Sequence, residues 1–152
     1  TENLEDKIMN QNIVFVGGGN TKSMLAVWRD WGLDKILKRG YENGIVMSGV
    51  SAGAICWFEQ GVTDSYSKSL ELLKCLGFLK GTACPHFDEE IEREPYVRKI
   101  INNGLINSCI CIEGNCAFHI ENELRIKSIN FGQKKDCYEL YKKNNEILKK
   151  IF

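Results

Sequence analysis

Residues 49–53 read Gly-Val-Ser-Ala-Gly, one residue after the apolar run Ile45-Val46-Met47 and before Ala54, Ile55 and Trp57. A serine with a glycine two residues away on each side fits G-x-S-x-G. In that pattern a sharp strand-to-helix turn lifts a nucleophilic Oγ clear of the sheet, and glycines let the backbone pass. The same five residues also suit a plain tight turn, so Ser51 needs partners before it means chemistry. An oxyanion would need two backbone N–H donors. One is offered by the residue after the serine, Ala52, and a second by the glycine loop Gly17-Gly18-Gly19-Asn20-Thr21, which follows another apolar run, residues 12–16.

That glycine loop has competing readings. A dinucleotide loop requires G-x-G-x-x-G, and Lys22 stands at the third glycine. A phosphate loop requires G-x-x-x-x-G-K-[ST]; Lys22-Ser23 fit, but Thr21 stands in place of the glycine. The third reading is an oxyanion loop. For a general base there are two histidines. His119 falls in Cys-Ala-Phe-His-Ile-Glu-Asn, a strand-like stretch in which alternation sets it opposite Phe118. His86 follows Pro85 in a loop-like segment, where catalytic groups concentrate, and is the better candidate. Glu113 follows the buried-strand pattern Cys-Ile-Cys-Ile and precedes Gly114. Strand ends facing a common crevice are where α/β folds place their sites, which makes it the candidate carboxylate. Arg93, Arg98 and Lys99 could meet an acidic substrate, although exposed helix charges in solvent are the simpler account of them.

The elements that must position these residues follow from hydrophobic spacing. Residues 12–16 and 44–49 read as short buried strands. Met24, Leu25, Trp28 and Trp31, then Leu33, Ile36 and Leu37, recur at helical spacing with a break at Gly32, and a further helix begins at the serine. Strand, helix, strand, helix predicts an α/β layered fold with a mostly parallel sheet. Residues 61–90 suit either a short helix or a strand-turn unit. A helix from Pro95 to Gly104 follows, then a buried strand at 109–113 and a hairpin over 116–131. The last stretch, residues 137–152, predicts an amphipathic helix with Leu140, Tyr141, Ile147 and Leu148 on its apolar side.

Composition sets the frame. With 152 residues the chain suits a single domain, and 20 Lys and Arg balance 20 Asp and Glu without a basic stripe, which speaks against a nucleic-acid partner. No apolar run is long enough for a membrane span. Seven cysteines, an odd number without a C-x-x-C pair, point to reduced, buried thiols, with Cys109 and Cys111 on one strand face. Zinc is disfavoured by the same spacing, and a soluble cytoplasmic protein without a metal is expected.

Taken in order, VGGGNT, GVSAGA, PHF and IEG resemble the peptidase E and cyanophycinase-like family of serine peptidases, from about residue 12 to residue 120. The resemblance implies a class I glutamine amidotransferase-like α/β sandwich with flavodoxin-like layers and serine in place of that fold's cysteine. It also implies a Ser51-His86-Glu113 triad, an oxyanion hole at the N–H groups of Gly19 and Ala52, no cofactor, and hydrolysis of short peptides as a dipeptidase or exopeptidase. Members of that family carry two strand-helix units before the GGGNT strand, whereas eleven residues precede it here and the chain opens on Thr1. An N-terminally truncated domain is therefore expected, its bared sheet edge favouring a homodimer. The alternatives are a catalytically silent paralogue or fragment serving as a binding or structural module, and a nucleotide-binding protein using GGGNTKS.

Overall fold

The computed structural model describes residues 3–67, 69–132 and 134–152, so Thr1 lies outside the described residues. The chain opens with α1 (Leu4–Met9), N-capped by Asn3, and β1 (Ile13–Val16). Helix α2 (Thr21–Asp30) follows, then α3 (Leu33–Glu42). Between the two helices Gly32 takes φ 69°, a left-handed conformation that glycine adopts without steric cost. The next elements are β2 (Val46–Gly49), the single-turn α4 (Ala52–Ile55), β3 (Phe58–Ser67), β4 (Ser69–Lys74) and β5 (Leu79–Cys84). After them come α5 (Arg93–Asn102), β6 (Ser108–Ile112), β7 (Cys116–Glu121), β8 (Leu124–Asn130), β9 (Cys137–Lys143) and β10 (Glu146–Ile151).

The architecture is α/β, as expected, but the sheet is mixed and not mostly parallel. Strands β1 and β2 form a parallel pair, and a six-stranded sheet runs β10-β9-β6-β5-β3-β4. Its centre, β3-β5-β6, is parallel, while β4 on one flank and β9 and β10 on the other run antiparallel. Strands β7 and β8 form a separate antiparallel hairpin.

The C-terminal stretch is the largest departure. Residues 137–151 are two antiparallel strands and not an amphipathic helix, turning at Asn144 and Asn145, both at positive φ (50° and 65°). Two successive left-handed residues are what a two-residue hairpin requires, and asparagine tolerates that conformation better than most side chains. Strand β9 pairs along all of β6, Cys109 opposite Leu140 and Cys111 opposite Tyr138, which buries Leu140, one of the residues that helical spacing grouped. Residues 69–84 settle as the strand-turn unit β4-β5.

The core divides by sheet face. Cys109 and Cys111 lie on one face with Val97, Ile100 and Ile101 of α5, and Ile110 points to the other with Ile55, Phe58 and Ala83. This is the alternation expected of a buried strand. A third cluster joins Val16, Leu25 and Leu37 to Trp57 and Phe78, tying β1, α2 and α3 to the six-stranded sheet. All seven cysteines are free thiols.

Candidate active site

Two parallel strand pairs bring the candidate residues to strand ends. Val16 pairs with Gly49, so the glycine loop leaving β1 runs beside the segment Val50-Ser51-Ala52 leaving β2; Val50 N–H continues the ladder by donating to Val16 O at 3.0 Å. Likewise Cys84 pairs with Cys111, so the segment Pro85-His86 leaving β5 runs beside Ile112-Glu113 leaving β6, and Phe87 N–H donates to Ile112 O at 3.0 Å. Register alone thus sets Gly17–Gly19 beside Ser51, and the backbone of His86 beside that of Glu113.

Ser51 has the backbone of an elbow, with φ 55° and ψ −116°. A non-glycine residue held there costs about 1–3 kcal/mol and persists only where its surroundings enforce it. The enforcement is visible in its neighbours. A Cβ on Gly49 would lie 2.6 Å from Val16 O, and one on Gly53 would run into the same carbonyl, so both glycines are needed for the turn to close on β1. A Cβ on Gly18 would sit 3.4 Å from Ser51 Cβ and 3.8 Å from its Oγ, which places the glycine loop directly against the serine. Gly19 takes φ 144°, a conformation only glycine adopts readily.

The loop is fixed by its polar residues. Asn20 accepts from Ser23 N–H at 2.9 Å, capping α2, and its side-chain amide donates to Ser65 O at 3.1 Å. Thr21 is 1 % exposed, and its N–H donates to Ser65 Oγ at 2.9 Å. Asn20 and Thr21 therefore dock the loop on β3. In the elbow, Gly53 N–H is spent on Val50 O, and the N–H groups of Ala54 and Ile55 on Ser51 O. Among the described residues, neither Gly19 N–H nor Ala52 N–H has a hydrogen-bond partner. Lys22, the residue on which a phosphate loop would depend, lies over the Tyr66 ring at 4.2 Å.

His86 sits at φ 52° in the turn after β5, and its Nδ1 lies 2.6 Å from Glu89 Oε2. Glu113, the carboxylate expected to meet it, instead accepts from Asp136 N–H through Oε2 at 2.9 Å. The structure thus brings Glu113 beside the histidine in backbone register but gives the imidazole contact to Glu89. Among the described residues Ser51 Oγ has no hydrogen-bond partner, so serine and histidine are not hydrogen-bonded to one another. Catalytic hydrogen bonds often close only in the substrate complex. His119 lies exposed on β7.

Arg93 is no surface charge: it is 4 % exposed, pairs with Glu90 through Nη2 at 2.7 Å and donates to Val62 O at 3.2 Å. Arg98 pairs with Glu94 on the exposed side of α5. Cys84, two residues before His86, is pushed up to about 12 by burial, an effect Arg93 only partly opposes. It is a neutral thiol at pH 7 and no rival nucleophile. Among the described residues no group of three or more His, Cys, Asp or Glu side chains is arranged to hold a metal, and no helix is long and apolar enough to cross a membrane.

Comparison with known proteins identifies the family. The model of peptidase family S51 matches residues 1–127. The chain is 40% identical over 147 residues to the uncharacterized peptidase YgaJ of Bacillus subtilis (strain 168), an alignment covering 97% of this chain and 64% of that relative. The chain therefore spans about two thirds of the length of the curated relative it matches. With most of its length accounted for by the family model, the chain belongs to peptidase family S51, a peptidase E-like family.

Proposed function

We propose that the chain carries the site of a serine peptidase that hydrolyses short peptides as a dipeptidase or exopeptidase, with Ser51 as nucleophile and His86 as general base. The observation that carries the reading is the strained Ser51, backed by Gly18 and followed by an unengaged Ala52 N–H. Such strain marks a position held for chemistry. In the mechanism, Ser51 Oγ bonds to the scissile carbonyl carbon as its proton passes to His86 Nε2. The carbonyl oxygen, now an oxyanion, accepts from the N–H groups of Gly19 and Ala52. His86 then protonates the leaving nitrogen as the C–N bond breaks, and a water activated by the same histidine releases the acyl group. The orienting carboxylate comes from the corner where β5 and β6 end: Glu113 is the one the resemblance implies, Glu89 the one in contact.

Seven free thiols support a reducing compartment such as the cytoplasm. A second reading, a silent binding or structural module, is favoured by the absence of a serine–histidine hydrogen bond. Incubation of the chain with a dipeptide and tripeptide library, followed by mass spectrometry, separates the two. The peptidase reading expects cleavage that His86→Ala reduces by about three orders of magnitude or more. Cleavage that survives this substitution, or none with any peptide, contradicts it.

A further inference from the structure

Resting on that peptidase reading, with Glu113 as its orienting carboxylate, we infer that Asp88 is a positioning residue that fixes Glu113 relative to His86. Three segments meet at its side chain: the turn that carries His86, the turn after β6 that carries Glu113, and the stretch before β9. Through Oδ1 Asp88 accepts from Gly114 N–H at 2.7 Å, and through Oδ2 it pairs with Lys135 Nζ. The two oxygens thus reach both sides of Glu113. Gly114 is the next residue in the chain, and Lys135 precedes Asp136, whose N–H donates to Glu113 Oε2 at 2.9 Å. The Asp88 side chain is 18% exposed, so the pairing with Lys135 is screened less than a surface ion pair.

An orienting carboxylate has two requirements. One oxygen accepts from the imidazole N–H, and the other needs a donor that keeps the group from turning away. Asp136 N–H supplies that donor at Oε2 and leaves Oε1 for the imidazole. The donor serves this purpose only while residues 135 and 136 stay in register with the His86 turn. That turn is closed by Glu89 N–H and Glu90 N–H, both donating to His86 O at 3.1 Å, and joined to the end of β6 by Phe87 N–H on Ile112 O at 3.0 Å. Lys135 and Asp136 lie outside the strands. Asn130 Nδ2 holds them on one side by donating to Lys135 O at 2.8 Å, and Asp88 holds them on the other through the Lys135 ammonium. Asp88 therefore carries the alignment from the His86 turn, across Gly114, to the donor that fixes Glu113. It touches no reacting atom and acts through Glu113.

Amide hydrogen exchange followed by NMR and fluorophosphonate labelling of Ser51 test this together. In Asp88→Ala the N–H groups of both Gly114 and Asp136 are expected to lose protection, although only the first bonds to Asp88. In Lys135→Met, Gly114 stays protected and Asp136 does not. Labelling of Ser51 slows about tenfold or more in Asp88→Ala, as a misplaced triad member requires, and about a hundredfold or more in Glu113→Gln. The double variant is labelled within about twofold of the rate of Glu113→Gln alone, because the two residues act in series. A residue that merely supports the fold would multiply the two losses. Unchanged protection of Asp136 in these variants, or losses that multiply in the double variant, overturns the inference. If the amides respond as expected and the unaltered chain is not labelled, Asp88 keeps its hold on Glu113 and the peptidase reading fails.

Discussion

At the scale of single residues, the site depends on where side chains are absent as much as on where they are present. Gly49 and Gly53 meet the carbonyl of Val16, and Gly18 and Gly114 leave room for Ser51 and Glu89. Gly53→Ala is expected to lower unfolding free energy by about 3 kcal/mol, since its Cβ must displace the backbone of β1, an overpacked site. Urea denaturation checks this, and an unchanged midpoint would mean the elbow does not lean on β1. The candidates Ser51 and His86 and the two glycine motifs stand out in the sequence because each has a characteristic residue type at fixed spacing. The contact that the His86 imidazole makes with Glu89 does not stand out in this way. A carboxylate three residues along a loop carries no periodic signal, whereas Glu113 stood at a recognisable strand end.

At the scale of elements, local signals served well where one strand or helix was tested at a time. The pairs of residues at helical spacing in α2 and α3 flank a left-handed Gly32, and the alternation of Cys109, Ile110 and Cys111 sorts them onto opposite faces of β6. The end of the chain failed because two strands joined by a tight turn can imitate a helix. Leu140, Tyr141, Ile147 and Leu148 fall at multiples of about 3.6 residues only because the turn inserts Asn144-Asn145 between them; in the hairpin Tyr141 faces Leu148 directly. The consecutive asparagines were the signal for the turn. Asn145, at φ 65°, is expected to tolerate glycine with a gain of about 0.5 kcal/mol, because glycine has no Cβ to strain there. A thermal melt of Asn145→Gly with a lower midpoint would contradict the turn geometry. The antiparallel pairing of β9 with β6 was equally hard to foresee, since partners distant in sequence leave no local mark.

For the whole molecule, buried thiols couple stability to pH. Burial pushes Cys75, Cys84 and Cys137 up to about 12 from an ordinary thiol value of 9.0. The unfolded chain therefore loses these protons first, and the stability they contribute, intact below pH 9.0, drains away as pH rises toward about 12. Thermal midpoints measured from pH 8 to 11 are expected to fall most steeply above 9.0, and a flat profile would contradict the burial of these groups. A second molecular property concerns the β1–β2 pair. Ile13 and Val46 stand opposite one another, 60% and 56% exposed, with Phe15 beside them at 68%. An apolar face of this kind supports the proposal that a second copy of the chain covers it. Sedimentation is expected to show a dimer that Phe15→Lys dissociates, and a monomer at all concentrations would dispose of it. Whether strands, loop and turn cooperate as a catalyst is read most directly at Ser51 itself. Intact and peptide mass spectrometry after fluorophosphonate treatment is expected to show one adduct, on Ser51, that is absent in Ser51→Ala. An unmodified chain, or an adduct that persists in Ser51→Ala, would contradict the assignment of Ser51 as the nucleophile.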